Sequence, residues 1–268
     1  MKIYEPKGRA REYSPLALNY FNGCSHNCKY CYVPGIMKRF NDSYCHENVS
    51  VNVDYSELEK SAKKYQGYGK QILLSFTGDP YCGYYPEVTT EVLNILLKYN
   101  HLVAILTKGG KRCLNDLNLF KKFGQNIKVG STLTFDNEKD SLEWESGAAL
   151  PDERIETLKL LHENGVKTWC SFEPVIDPLQ SLRLLEKVSS FVDHVKIGKI
   201  NNYNGIDKSI DWERFIEHSV HICRKNNLSF YIKKDLLEFN KKVKLNSSES
   251  DMDFLSLKPV YIDLFTDI

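Results

Sequence analysis

The sequence predicts an α/β fold in which parallel strands alternate with helices, and three observations carry that expectation. Short runs rich in β-branched and aromatic residues recur at 16–22, 71–77, 101–107, 128–134, 166–172 and 194–198, as strands require. Stretches with apolar residues at helical spacing lie between them. The 268 residues are 42% hydrophobic and 12% aromatic, enough for one barrel-sized core, and no low-complexity linker divides them. Strands joined through helices pair in parallel by right-handed crossovers, which gathers functional groups at the carboxyl ends of the strands.

Each helix has its own grounds. After Pro86, residues 87–100 place Val88, Val92, Ile95, Leu96 and Tyr99 on one face, and a proline suits the first helical turn. Residues 152–164 place Ile155, Leu158 and Leu161 together before Gly165, a helix-ending residue. Similar patterns predict helices at 55–65, 111–123, 179–189 and 211–226. No run approaches the ~20 apolar residues that span a bilayer. The formal net charge of +1 argues against general adhesion to a polyanion while allowing a local basic face. Residues 1–20 lack the apolar core and cleavage site of a signal peptide, which implies reduced thiols and a cytoplasmic address.

The first strand runs into Gly23-Cys24-Ser25-His26-Asn27-Cys28-Lys29-Tyr30-Cys31-Tyr32. Three thiolates at C-x3-C-x2-C spacing can hold three irons of a [4Fe-4S] cube and leave the fourth iron for a non-protein ligand. Zinc would ask for two paired ligand sets, and neither His26 nor His46 stands at a usual zinc spacing. The remaining cysteines, Cys45, Cys82, Cys113, Cys170 and Cys223, occur singly and read as small buried hydrophobes.

This motif resembles the signature of the radical S-adenosylmethionine (SAM) enzymes. The resemblance runs from about Tyr13 to Asn201 and is nearest to the spore photoproduct lyase branch. Besides the cysteine loop it rests on Thr77-Gly78-Asp79, Leu106-Thr107-Lys108, Ser131-Thr132-Leu133-Thr134, Glu145 to Arg154, and Leu161-x-x-Asn164-Gly165-Val166. It implies a partial (β/α)6 barrel over residues 1–228, including an N-terminal arm, with a short C-terminal extension of the same domain at 229–268. It also implies a [4Fe-4S] cluster on Cys24, Cys28 and Cys31, SAM as cofactor or cosubstrate, and a one-electron donor of the flavodoxin or ferredoxin type.

The strand ends then take roles. Gly78 lets the backbone approach a ligand, and Asp79 can accept from an ammonium group or ribose hydroxyls; in the family the matching turn binds the methionyl amino group. Thr77 belongs to the same turn. Lys108 is assigned to the SAM carboxylate, Ser131 to the ribose or methionyl group, and Tyr30 to packing over the cluster or adenine. Glu173 stands where a polar cofactor would need an acidic residue and, costly to bury alone, is expected to face the pocket or Lys196. Phe76 stands where the lyase keeps its hydrogen-donating cysteine, which argues against that relay here. Cys82 is the candidate replacement, with Tyr81, Tyr84 and Tyr85 as radical carriers or stacking faces, against a plain loop thiol.

For the substrate, kinship to a DNA repair enzyme favours a nucleotide or nucleic acid. A lysine-rich tract at 230–245, with Lys233, Lys234, Lys241, Lys242 and Lys244 around Tyr231 and Phe239, offers a phosphate-contacting edge or else a solvated helix face. A peptide or small metabolite is the second possibility, and a non-enzymatic metal or zinc module the third. A strand-like run at 259–265 is expected to cap the barrel.

Overall fold

The computed structural model describes residues 1–39, 46, 48–201 and 203–259. Its strands are β1 (Leu16–Leu18), β2 (Phe21–Asn22), β3 (Ser50–Val51), β4 (Ile72–Leu74), β5 (Val103–Thr107), β6 (Ile127–Thr132), β7 (Lys167–Val175), β8 (His194–Lys199) and β9 (Ser229–Ile232). Between them lie α1 (Val33–Arg39), α2 (Tyr55–Lys64), α3 (Pro86–Lys98), α4 (Leu117–Phe123), α5 (Glu138–Trp144), α6 (Pro151–Glu163), α7 (Pro178–Val188), α8 (Asn204–Asp207) and α9 (Trp212–Lys225). Local chemistry explains the helix starts. Asp54, Asp177 and Asp211 accept backbone N–H groups at the heads of α2, α7 and α9, while Pro86, Pro151 and Pro178 open α3, α6 and α7.

Seven strands form one parallel sheet in the order β1-β4-β5-β6-β7-β8-β9. Neighbours in the sheet are neighbours in the chain, so the sheet winds in one direction as a partial barrel. Two differences from the expected strands have physical causes. The first strand breaks after Leu18, because Asn19 turns its side chain to Tyr4 and Phe76, and β2 pairs antiparallel with β3 instead. A seventh parallel strand, β9, opens the stretch expected as an extension. It is only Ser-Phe-Tyr-Ile, and the lysines that follow disguised it. The helix expected at 111–123 starts as a 3-10 turn, Gly110–Asp116, before α4. The expected final strand lies, from residue 260 on, outside the described residues, as does Cys45.

One face of the sheet packs on the helices. Val103, Ile105, Ile127 and Val129 meet Val92, Leu96 and Phe120, while Leu133, Cys170, Phe172, Val195, Ile197 and Ile232 meet Leu184, Leu185 and Ile216. The other face lines the barrel: Leu73, Ala104 and Trp169, with Tyr13, Phe76 and Leu106 against them. No helix among the described residues is long and apolar enough to cross a membrane.

The barrel floor is closed by the N-terminal arm and by residues 252–257. Fully buried Lys196 donates to the carbonyls of Glu12, Tyr13 (3.3 Å) and Met252 (3.5 Å). Lys128 donates to the Leu255 carbonyl at 2.6 Å, Leu257 N–H to Gln71 Oε1 at 3.0 Å, and Tyr231 to Glu12 Oε2 at 2.8 Å. Burial first, then the neighbouring Lys233, pulls Lys196 down to about 7 from 10.5; burial likewise lowers Lys128 and His194. Between those two values the unfolded chain binds the proton that the folded chain lacks, so stability rises with pH across this window and the penalty is complete below it. The urea midpoint should therefore increase from pH 7 to pH 9, and Lys196→Met should flatten the increase; an equal slope in both proteins would contradict the assignment.

Candidate metal centre and active site

The loop after β2 carries Cys24, Cys28 and Cys31, each half-buried and none in a disulfide. On one side it is laced to the segment after α5. Lys29 N–H donates to the Trp144 carbonyl at 2.9 Å and Gly147 N–H to the His26 carbonyl at 3.0 Å, while Cys28 bridges Glu145 in antiparallel fashion. A Cβ at Gly147 would stand 1.9 Å from the Ser25 carbonyl oxygen, so only glycine permits this approach. On the other side the turn after β4 supports the loop: Ser25 donates to the Cys82 carbonyl and Thr77 to the Phe21 carbonyl at 3.1 Å.

Beneath the loop, His26 directs Nδ1 at the Gly147 carbonyl and Nε2 at Asp79 Oδ2, both at 3.1 Å. Asp79 also accepts from Thr107 Oγ1 at 2.6 Å and from the N–H groups of Lys108 and Tyr81 at 2.8 Å each. Burial would raise this carboxyl; the nearby His26 charge and the hydrogen bonds from Thr107 and the Lys108 backbone outweigh it and hold the group well below the usual carboxylate range.

A second buried centre stands beside Cys28. Arg154 Nη2 lies 2.5 Å from Glu145 Oε2, with side chains 1% and 0% exposed. Arg154 also donates to the carbonyls of Ala149 and Thr132 at 2.7 and 3.0 Å, and Glu145 accepts from Tyr30 and from Thr134, the latter at 3.1 Å. Lys108 Nζ sits 5.4 Å from the Tyr30 ring centroid. Burial disfavours its charge, yet the negative partners Cys28 and Glu145 raise its pKa overall. Burial pushes the Cys28 thiol up to about 11 against the opposing pull of Lys108, so a bound metal would have to displace its proton.

Among the described residues no three His, Cys, Asp or Glu side chains converge on one metal ion. A cube that gives each thiolate its own iron does not require that convergence. Three cysteines on a braced, half-buried loop at the mouth of the parallel sheet fit such a group.

Comparison with known proteins agrees. The family model of the radical SAM superfamily matches residues 18–192, and the chain is 33% identical over 234 residues to an uncharacterized protein of Methanocaldococcus jannaschii, covering 79% of this chain and 87% of that one. The chain belongs to the radical SAM superfamily. Among solved structures it resembles Streptococcus suis SuiB bound to S-adenosylmethionine, with a TM-score of 0.64 and 16% identity over 86% of this chain and 53% of SuiB. It also resembles spore photoproduct lyase with bound SAM and a dinucleoside spore photoproduct, with a TM-score of 0.63 and 11% identity over 86% of this chain and 78% of the lyase. The chain thus spans about half the length of SuiB.

As a radical SAM enzyme, the chain departs from several of its sequence-based expectations. Tyr81 does not face the mouth: it is 4% exposed in the core and donates to Asp116 Oδ2 at 2.9 Å. Cys82 is 1% exposed and burial raises its thiol, so it is a sealed loop thiol. Tyr84 and Tyr85 are exposed. Ser131 pairs in register with Cys170 and donates to the Thr107 carbonyl at 2.9 Å, which turns it with Leu133 and Cys170 to the helix side, away from the barrel. Gly78 makes room for the cysteine loop, since a Cβ there would lie 2.9 Å from both the Gly23 carbonyl and Phe21 Cβ. Asp79 keeps its carboxylate inside the scaffold. Tyr30 and Lys108 do lie beside Cys28. Glu173 meets Lys233 at 2.6 Å and accepts from Tyr13, while Lys196 serves the floor. Lys233 and Tyr231 are buried, which removes them from any phosphate-contacting edge.

The reading from residues quoted His26, Glu145 and Arg154 within its motifs but gave them no role, and it gave none to Tyr13. Arg154 carried a physical signal that could have been used: an arginine at a buried position of an otherwise amphipathic helix needs an acid within reach.

Proposed function

We propose that the chain reductively cleaves SAM and directs the resulting radical to a C–H bond of a nucleotide or nucleic acid. The observation that carries the first half is the C-x3-C-x2-C loop braced at the barrel mouth. Cys24, Cys28 and Cys31 would hold a [4Fe-4S] cluster, which would supply the electron for reductive cleavage of SAM. The protein's own residues prepare the place. Asp79 fixes His26 and the Lys108 backbone, Gly78 and Gly147 let the flanking turns close on the loop, and Tyr30 and Lys108 cover Cys28 from the barrel side. Lys108 brings a positive charge suited to the SAM carboxylate. An external one-electron donor of the flavodoxin or ferredoxin type completes the requirement.

The nucleotide half draws support from the likeness to the lyase holding a dinucleoside and from the rim beyond β9. There Phe239 is 38% exposed with Lys199 Nζ 5.6 Å from its ring, and Lys234, Lys241 and Lys242 face solvent, a combination that suits phosphates and bases. SuiB, solved with its precursor peptide, motivates the peptide reading. Anaerobic turnover with perdeuterated DNA oligonucleotides and perdeuterated peptides separates them: deuterium should appear in 5'-deoxyadenosine from the oligonucleotides, and label arriving only from peptides would reverse the assignment.

A further inference from the structure

Arg154, in the first turn of α6, reaches both ends of Lys108 by two separate routes. Its guanidinium spreads over three acceptors: Nε on the Ala149 carbonyl at 2.7 Å, Nη1 on the Thr132 carbonyl at 3.0 Å and Nη2 on Glu145 Oε2 at 2.5 Å. Ala149 in turn donates its N–H to the Lys108 carbonyl at 2.9 Å, so the first route ends on the Lys108 backbone. The second route runs through Glu145, whose other oxygen, Oε1, accepts from the Tyr30 hydroxyl and from Thr134 Oγ1. The Tyr30 ring held in this way has Lys108 Nζ 5.4 Å from its centroid, so this route ends on the ammonium. The side chain of Arg154 is 1% exposed, and each of its three nitrogens already donates within the protein. Its service to the site is therefore to hold other groups in place.

Resting on the reading that Lys108 serves the SAM carboxylate, we propose that Arg154 is a positioning residue for that lysine, holding its backbone through Ala149 and the ring beside its ammonium through Glu145 and Tyr30. A lysine side chain is long and rotamer-rich, and one that is ordered only when its ligand arrives gives up part of the attraction to that ordering. An ammonium resting on a fixed aromatic face is ordered beforehand. The planar fork of arginine suits the task, because one rigid group meets acceptors from the end of β6, the segment before α6 and the segment after α5 at once.

The test is anaerobic equilibrium binding of SAM and of decarboxylated SAM to the cluster-reconstituted protein, since only the first ligand carries the carboxylate. Lys108→Met should bind SAM on the order of tenfold more weakly and bind decarboxylated SAM much as wild type does. Arg154→Lys keeps a cation beside Glu145 but cannot span the three acceptors. It should lose most of the same preference for SAM, with iron content and the binding of decarboxylated SAM retained. Tyr30→Phe, which cuts only the link to Glu145, should lower the preference in the same direction, and it decides alone if Arg154→Lys does not fold. A wild-type preference in either variant overturns the inference. An equal loss of both ligands in Arg154→Lys overturns it too, because a merely structural arginine would act on the whole site. A wild-type preference in Lys108→Met, or no SAM binding by wild type, would instead defeat the reading on which the inference rests, and the inference with it.

Discussion

Cys28→Ala is expected to lower iron from about four per chain to near none after anaerobic reconstitution and to reduce SAM cleavage under dithionite to background. Cys28 is the middle cysteine of the loop. It pairs with Glu145 across the antiparallel bridge, and its thiol feels Lys108, Glu145 and Cys31. With Cys28 removed, a cube loses a third of its protein ligands. Absorbance near the charge-transfer bands should vanish together with the activity. Near-full iron content and cleavage in Cys28→Ala would show that the cluster sits elsewhere.

Arg154→Met is expected to cost about 3–5 kcal/mol of folding stability, because it leaves the Glu145 carboxylate buried without its cation. Glu145 is 1% exposed as a residue. Its own pKa stays depressed because Arg154 and Lys108 overcome the burial penalty. Urea unfolding of the metal-free protein measures the loss. Replacing both partners, Glu145→Leu with Arg154→Met, should recover part of it, since two well-packed apolar groups can substitute for a buried pair. A loss below about 1 kcal/mol in the single variant would mean that water reaches the pair. The effect should also extend to the metal centre, because Glu145 holds the Tyr30 hydroxyl.

What the sequence disclosed and what it concealed follows from the range of the interactions. The cysteine spacing is local and needs no fold to be understood. The strand–helix alternation is also local, and it correctly located most of the sheet. Ser131 shows where such reasoning stops. All six residues of β6 are buried, because a parallel sheet is covered on both faces, so polarity does not say which side of the strand lines the barrel. The partners of Glu173 stand 160 residues before it and 60 after it in sequence, and nothing in the local pattern joins them. Tyr81 and Cys82 looked functional from their place after the Asp79 turn. The turn, however, folds back into the core, and its aromatic side chain finds Asp116 there.

The closed barrel floor has a consequence for how the enzyme is made. Glu12 leaves the ribosome early, but Lys196 and Tyr231, which hold it, follow 184 and 219 residues later. At ordinary rates of synthesis that interval is roughly ten to forty seconds. During it the cysteine loop has already emerged while the wall carrying Glu173 and Lys233 is still missing. The cysteine loop therefore stays openly accessible for a long window in the nascent chain, and the barrel around it closes only when the late strands dock.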